Sequence, residues 1–370
     1  MWRRPGQEFE VTSYSRLARR EGSRTFPVPR PEYQGFETVI YDECHNLKGR
    51  TANWTRAAMK VKSERAYLLS GTPMSGWAHE LWPLLRIVHS GDRRYSSFWR
   101  WVAEWFETWR PPWGGTEVRG LRPGVSWDDF AAGCGLESRW LRREMDLVLD
   151  ELPAMSYQTI ELDMAGAQAT AYRQLRKSMV AELEAGLLVS WSSGDQFVKL
   201  AQLATSVGAV DGTFKPSGAK MDALRELLVG RSRPVVCFTH FRSSATVVAA
   251  VARELGLVVA QVDGSVAQDE RATIIQRFQA FEVDVLVGTF ATMSEGVTLT
   301  AADTAIFVER SPRALYNFQA ERRIRRFGQD RPTRRIDLVT RQSVDERLVQ
   351  RLAAKGDQET KLVEALDLLT

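Results

Sequence analysis

The sequence predicts an α/β protein built on a parallel sheet, and two observations carry that reading. From Pro234 onward, short apolar runs expected as strands (Val235–Thr239, Leu257–Val262, Val283–Gly288, Ala305–Val308) alternate with segments of helical character (Ser244–Leu255, Gln268–Phe281). That spacing is the pattern of a doubly wound parallel sheet. Nearer the start, the β-branched run Val39-Ile40-Tyr41 stops abruptly at Asp42-Glu43-Cys44-His45. Such a run suits a strand buried on both faces, and open α/β sheets place their chemistry at the carboxyl ends of such strands. Two adjacent acids there can divide labour. Asp42 is a hard oxygen ligand for Mg²⁺, and Glu43 can take a proton from an attacking water.

The other elements follow in order. Phe9 to Leu17 reads as a short strand and a helix start, with Thr12 and Ser13 as candidate caps. Pro27, Pro29 and Pro31 mark an extended loop. Thr51 to Val61 has helical character, and Ala66 to Leu69 is a brief strand ending in Ser70-Gly71-Thr72-Pro73, which is turn chemistry by itself. Residues 93–150 are crowded with tryptophan: Trp99, Trp101, Trp105, Trp109, Trp113, Trp127 and Trp140. Trp101, Trp105 and Trp109 stand at i, i+4 and i+8, one face of an expected helix. A packing face is the first reading of that stripe, and base stacking the second. A long helix is expected from Ala165 to Leu188, and a linker from Val210 to Gly218. Ser217-Gly218-Ala219-Lys220 lacks the spacing of a phosphate loop and is not read as one.

Bulk properties bound the function. The 370 residues allow two domains with real cores. The net charge is +4, mildly basic, and arginine far outnumbers lysine. This agrees with phosphate recognition and equally with a compositional drift. Cys44, Cys134 and Cys237 lie far apart without paired spacing, so neither disulfides nor a zinc site is expected and the compartment is expected to be reducing. No apolar run reaches membrane-spanning length, and Met1-Trp2-Arg3-Arg4-Pro5-Gly6 is not followed by the apolar core of a secretory signal.

Three stretches then appear in a telling order: Asp42-Glu43-Cys44-His45, Leu69-Ser70-Gly71-Thr72-Pro73, and Gln319-Ala320-Glu321-Arg322-Arg323-Ile324-Arg325-Arg326-Phe327-Gly328-Gln329. They resemble motifs II, III and VI of superfamily-two helicases of the DEAD/DEAH-box type, and most of all the Swi/Snf-like DNA translocases. Asn46-Leu47-Lys48-Gly49, Glu80-Leu81-Trp82-Pro83 and Leu152-Pro153 continue the likeness, which covers about Phe9 to Leu348. Cys44 stands where those proteins usually carry alanine, and Met293 to Leu299 keeps only Gly296 of several glycines in motif V. Ala301-Ala302-Asp303 with Phe307-Val308-Glu309 looks like the fork-remodelling, strand-annealing branch.

The resemblance implies two RecA-like lobes: a first lobe at 1–92, incomplete, a helical Trp-rich insertion and linker at 93–212, and a complete second lobe at 213–370. It implies ATP hydrolysis between lobes, with ATP and Mg²⁺ as cofactors and double-stranded DNA as partner. Asp42 would hold the metal, Glu43 would act on the water, and Arg323 and Arg326 would neutralise the transferring phosphoryl group. Gln319 joins the catalytic set, while His45 and Gly296 join the nucleotide site. Thr12, Ser13, Thr72, Thr298, Arg322 and Arg325 would contact DNA. For the arginine run, spacing i, i+3 sets Arg323 and Arg326 on one helix face, and a solvated basic face is the competing reading.

One part of the pattern is not found. A strand, a G-x-x-x-x-G-K-[ST] loop and its lysine are needed upstream of motif II, and no such stretch occurs in the sequence. The expectation is a split motor, completed by a separate polypeptide carrying that loop, in the cytoplasm of a bacterial or phage-infected cell. The alternatives are a non-catalytic DNA-binding or regulatory module that kept the fold, and a truncated gene product.

Overall fold

The computed structural model describes residues 9–19, 27–74, 77–112, 114–141, 152–293 and 296–367. Trp113, Ser294, Glu295 and the segment Met1 to Gly6 lie outside the described residues. Two compact units divide the chain: Met1–Arg142 with Ala354–Thr370, and Arg143–Ala353.

In the first unit, helix α1 (Tyr14–Leu17) leads into the short antiparallel pair β1 (Ala18–Arg19) and β2 (Val28–Pro29). Strand β3 (Thr38–Tyr41) is followed by helix α2 (Asn53–Ala58) and strand β4 (Arg65–Leu68). β3 and β4 pair in parallel, Ile40 opposite Tyr67 and Tyr41 opposite Leu68. Because side chains alternate along a strand, Val39, Tyr41, Ala66 and Leu68 face the core shared with helix α3 (Trp82–Val88). The other face carries Ile40 and Tyr67, 62% and 53% exposed, and Leu69 just beyond it is also exposed. The sequence reading of β3 as buried on both faces is therefore corrected. Among the described residues this sheet has two strands and is covered on one side.

The Trp-rich segment is mixed rather than helical throughout, a second correction. Helix α4 (Phe98–Trp105), capped by the Ser97 hydroxyl, stops at Trp105, so Trp109 leaves the helical register. Phe106-Glu107-Thr108-Trp109 instead forms β5 (Phe106–Trp109), paired antiparallel with β6 (Glu117–Leu121), before helix α5 (Trp127–Gly133) with its Ser126/Asp129 capping box. Trp101, Trp105 and Trp127 are packing groups. Trp101 is buried, and its ring lies 5.3 Å from Phe106 and 6.0 Å from Phe130, centroid to centroid.

The second unit holds one six-stranded, all-parallel sheet. It begins with β7 (Met155–Leu162), then helix α6 (Gly166–Ser178), the hairpin β8 (Val180–Leu183) and β9 (Gly186–Val189), and helix α7 (Ser193–Thr205). The long helix expected from Ala165 to Leu188 thus ends at Ser178. Met179 takes a left-handed conformation at its C-cap (φ 61°), and the β-branched and leucine residues after it pair as a hairpin. Helix α8 (Ala219–Val229), β10 (Val235–Thr239), α9 (Arg242–Glu254), β11 (Val259–Val262), α10 (Gln268–Gln279), β12 (Val285–Thr289), α11 (Phe290–Met293), β13 (Thr304–Phe307), α12 (Ala314–Glu321), β14 (Thr333–Thr340) and α13 (Val344–Asp367), which belongs to this unit up to Ala353, complete the order. The strand sequence across the sheet is β11-β12-β10-β13-β14-β7.

This is the doubly wound α/β sheet that the alternation predicts. β10 and β12 are buried at every position. Val235, Cys237, Val285, Val287 and Ile306 pack with α8 and α9 on one face, and Val236, Phe238, Leu286, Ala305 and Phe307 pack with α10, α11 and α12 on the other. Gly288 in β12 is needed for close approach: a Cβ there would sit 2.4 Å from Met293 Sδ and 2.7 Å from the Val262 carbonyl. Among the described residues, no helix is long and apolar enough to cross a membrane. All three cysteines are buried as free thiols.

Candidate functional site

In the first unit, β3 delivers Asp42 and Glu43 to a turn at its carboxyl end. Tyr14 Oη donates to the Asp42 carbonyl at 2.6 Å, and Asp42 Oδ1 accepts the Glu43 N–H at 2.9 Å. Glu43 is held in the left-handed region (φ 48°, ψ 49°), a costly conformation for a side chain of its kind. The turn is fastened to β4, since Cys44 N–H donates to the Leu69 carbonyl. Burial, helped by the Glu43 charge, pushes the Cys44 thiol up to about 12, so it fills space as a neutral group.

His45 links the two motif-bearing loops. Its Nδ1 lies 3.1 Å from Glu43 Oε2 and 3.1 Å from Ser70 Oγ, and Ser70 Oγ accepts the Thr72 N–H at 3.2 Å. The ring is 3% exposed. Burial first, then the nearby Lys48 charge, lower its pKa from 6.5 to about 4, against a smaller opposing effect of Asp42. A neutral ring with its proton on Nδ1 donates to the carboxylate and so orients it. Ser70, read from the sequence only as part of the Ser70-Gly71-Thr72-Pro73 stretch, is the hydroxyl of this loop that meets His45. The signal was present: a small hydroxyl residue directly after an apolar strand, facing a histidine after its neighbour. Thr72 is buried, and Thr12 Oγ1 donates to Tyr33 Oη at 3.0 Å. Ser13 occupies an N-cap position without capping through its side chain, and its Oγ lies 3.0 Å from Ser15 Oγ.

The lowered His45 pKa makes a prediction. The unfolded ring titrates near its ordinary 6.5 and the folded ring near 4, so as pH falls the unfolded state takes up the proton first. The stability contributed by keeping the ring neutral is present above pH 6.5 and is lost as pH falls toward 4, an effect of up to about 3 kcal/mol. Urea unfolding of the wild type and of His45→Gln at about pH 7.5 and about pH 4.5 checks this. The wild type should lose more stability than the variant on acidification, and equal losses would exclude the assignment.

In the second unit, α12 ends at Glu321, so Arg322 to Gly328 lie in turns beyond the helix. The expected helical i, i+3 placement of Arg323 and Arg326 is corrected. Arg322 N–H and Arg323 N–H both turn back to the Ala320 carbonyl, which tightens the chain out of the helix. The two arginines are brought together by a different route. Arg323 Nη1 donates to the Val297 carbonyl at 3.3 Å, and Arg326 Nη1 donates to Thr298 Oγ1 at 3.3 Å. Leu299 N–H donates to the Arg323 carbonyl at 2.8 Å, so the two loops are laced together beside Gly296, which has a positive φ of 69°. Gln319 is buried, and its Oε1 has no partner among the described residues. Arg325 Nε donates to the Pro153 carbonyl at 2.8 Å, and the Arg322 guanidinium lies 3.9 Å above the Phe318 ring.

Two buried polar assemblies support this region and were not found from the sequence. Glu309, at the end of β13, accepts from Thr205 Oγ1, Ser244 Oγ, His240 N and Phe241 N at 2.6–3.1 Å, fixing the β10–α9 loop. An acid ending an apolar strand was its signal, the same one that marked Asp42. Asp337 on β14 accepts from Arg310 and Arg335, and Arg335 also pairs with Glu321 at the end of α12. That pairing ties the arginine-bearing turn to the sheet.

Comparison with known proteins bears on these two sites. A family model described as SNF2-related domain matches residues 6–206, and one described as helicase conserved C-terminal domain matches residues 219–329. The chain belongs to the SNF2-related family. The SWI/SNF chromatin-remodeling complex subunit snf22 of Schizosaccharomyces pombe is 24% identical over 349 residues, 88% of this chain and 21% of that protein. The human DNA annealing helicase and endonuclease ZRANB3 is 27% identical over 312 residues, 80% of this chain and 27% of that protein. The chain therefore spans about a fifth to a quarter of the length of these relatives. A solved Sulfolobus solfataricus SWI2/SNF2 ATPase core in complex with dsDNA aligns at 21% identity and a TM-score of 0.44, covering 85% of this chain and 66% of that one. The Asp42 turn lies in the stretch matched by the SNF2-related domain, and Arg323 and Arg326 in the stretch matched by the helicase C-terminal domain.

Proposed function

We propose that this chain is the hydrolysing part of an ATP-dependent DNA translocase, acting with a further polypeptide that supplies the phosphate-binding loop. The observation that carries the reading is the strained Glu43 carboxylate at the end of β3, oriented by a buried neutral His45 that also contacts Ser70. The donor set fits the cofactor. Asp42 is an exposed hard carboxylate at a strand end, suited to Mg²⁺, and Arg323 and Arg326 are laced side by side on the Val297–Thr298 loop, suited to phosphate oxygens. Mg²⁺ and ATP, when bound, would supply a polarised terminal phosphate. Glu43 would accept the proton of the attacking water at its carboxylate, with His45 keeping that carboxylate in place. Arg323 and Arg326 would stabilise charge on phosphoryl oxygens.

Ser70 and Thr72 form the path by which a change at Glu43 reaches the loop after β4, since His45, Ser70 and Thr72 are joined by consecutive hydrogen bonds. We read the two units as RecA-like lobes of which the first is completed from outside. The open apolar face of Ile40, Tyr67 and Leu69 supports this, because a two-stranded sheet covered on one side leaves a surface suited to further strands and helices. Similarity to a chromatin-remodeling complex subunit and to a DNA annealing helicase supports DNA as the track.

The test is DNA-stimulated ATP hydrolysis by the purified chain, alone and mixed with a polypeptide carrying a phosphate loop from the adjacent gene. Turnover only in the mixture supports the proposal. Normal turnover by the chain alone refutes the need for completion. DNA binding with no turnover in either case leads to the non-catalytic binding module instead.

A further inference from the structure

A pocket of about 230 Å³ in the second unit lies between α6, α7 and the start of α13, and is lined by Tyr172, Arg176, Gln196, Phe197, Gln342 and Arg347. Arg176 stands on the last turn of α6 and Arg347 on the first turn of α13. Both are exposed, and neither is ion-paired among the described residues. Each has a like-charged neighbour along its own helix: Arg173 three residues before Arg176, and Arg351 four residues after Arg347. At those separations each pair shares a helix face. Of these four, Arg176 and Arg347 line the pocket.

The acids nearby are committed elsewhere. Asp345 is buried against Lys220, and Asp195 pairs with Lys199 and accepts the Trp191 N–H. Glu346 accepts the Gln342 N–H. The first amides of α13 are also spent, since Val344 N–H donates to Tyr172 Oη and Asp345 N–H to Ser343 Oγ. What the pocket offers a ligand is guanidinium charge, amide side chains and the half-exposed Phe197 ring. Two guanidinium groups that line one pocket from separate helices suit the oxygens of a phosphate.

We propose that this pocket binds a phosphate group, taken from the backbone of bound nucleic acid or from free phosphate, at a site separate from Asp42, Glu43, Arg323 and Arg326. The nucleic-acid source rests on the translocase reading above. None of the pocket residues belongs to the hydrolytic set, so its loss weakens DNA binding without removing a group that acts on ATP.

The test measures binding of the full chain to a short duplex by fluorescence anisotropy over a salt series, for the wild type, Arg176→Gln/Arg347→Gln and Arg176→Lys/Arg347→Lys. Inorganic phosphate is titrated calorimetrically into the same proteins. Loss of this one phosphate contact should reduce the slope of log K against log salt by about 0.9 and weaken binding several-fold at low salt, and the lysine variant should recover most of the slope. An unchanged slope together with phosphate heat in the wild type alone assigns the pocket to free phosphate. An unchanged slope with no phosphate heat overturns the proposal. If the wild type alone binds no duplex at any salt, the nucleic-acid source is excluded for the chain by itself. The calorimetric titration then decides the pocket: heat in the wild type but not in the glutamine variant supports it, and heat in neither overturns it.

Discussion

Glu43→Gln should lower DNA-stimulated ATP hydrolysis by about 10²- to 10⁴-fold while leaving nucleotide affinity and stability near those of the wild type. Glutamine has the same shape and keeps one carbonyl oxygen for His45 Nδ1, so the link to Ser70 can persist. It also adopts the left-handed backbone of this turn at a cost similar to that of glutamate. What it lacks is the negative charge that takes a proton from water. Asp42 remains, so the hard oxygen ligand for Mg²⁺ is not disturbed. Turnover should therefore fall through kcat, with little change in KM. Steady-state kinetics in the completed system, with nucleotide binding measured separately, distinguishes the outcomes. A kcat within a few-fold of wild type would remove Glu43 from the role of base, and a large loss of nucleotide affinity would reassign it to binding.

Lys220→Met should destabilise the second unit by about 3–5 kcal/mol, the usual result of removing one partner from a buried ion pair. Lys220 is 1% exposed and Asp345 8% exposed. Lys220 Nζ donates to Asp345 Oδ2 and to the Val308 carbonyl, each at 2.6 Å, and Asp345 also accepts the Thr340 N–H at 3.0 Å. The pair therefore joins α8, the end of β13, the end of β14 and the first turn of α13. Methionine fills the volume but leaves Asp345 buried and the Val308 carbonyl without its donor. Replacing both partners, Lys220→Met with Asp345→Asn, should recover part of the loss, because no unpaired charge remains. Chemical denaturation followed through the second unit measures both. A loss below about 1 kcal/mol in the single variant would show that the pair is solvated and contributes little. The location of Lys220 also explains why Ser217-Gly218-Ala219-Lys220 is not a phosphate loop: the lysine is turned inward, and Gly218 is fixed at φ 98° against the Gln168 side chain.

The legible parts of this protein were those written in local periodicity. The alternation after Pro234 placed β10, β12 and β13 close to their observed bounds, because strands buried on both faces read as continuous apolar runs. The acids ending β3 were legible because the apolar run stops where the strand ends, although β3 is covered on one face rather than two. The helix assumed through Trp109 failed because a spacing of four suits a helix only while nothing stronger intervenes. Phe106 to Trp109 pairs instead with Glu117 to Leu121 across the Pro111-Pro112 and Gly114-Gly115 turn. The helix assumed through Leu188 failed likewise at the hairpin after Met179.

By itself, then, the sequence determined the parallel α/β sheet of the second unit, the strand-end acids and the resemblance on which the roles proposed for the arginine run rest. Tertiary structure alone decided that β7 pairs with β14 over a separation of nearly two hundred residues, and that Arg323 and Arg326 meet on the Val297–Thr298 loop rather than along a helix. It also decided that His45 reaches Ser70, and that Ile40 and Tyr67 share an open face. The physical reason is range. Periodicity and turn chemistry act between neighbours along the chain, whereas strand pairing and buried polar contacts depend on which distant segments the core brings together.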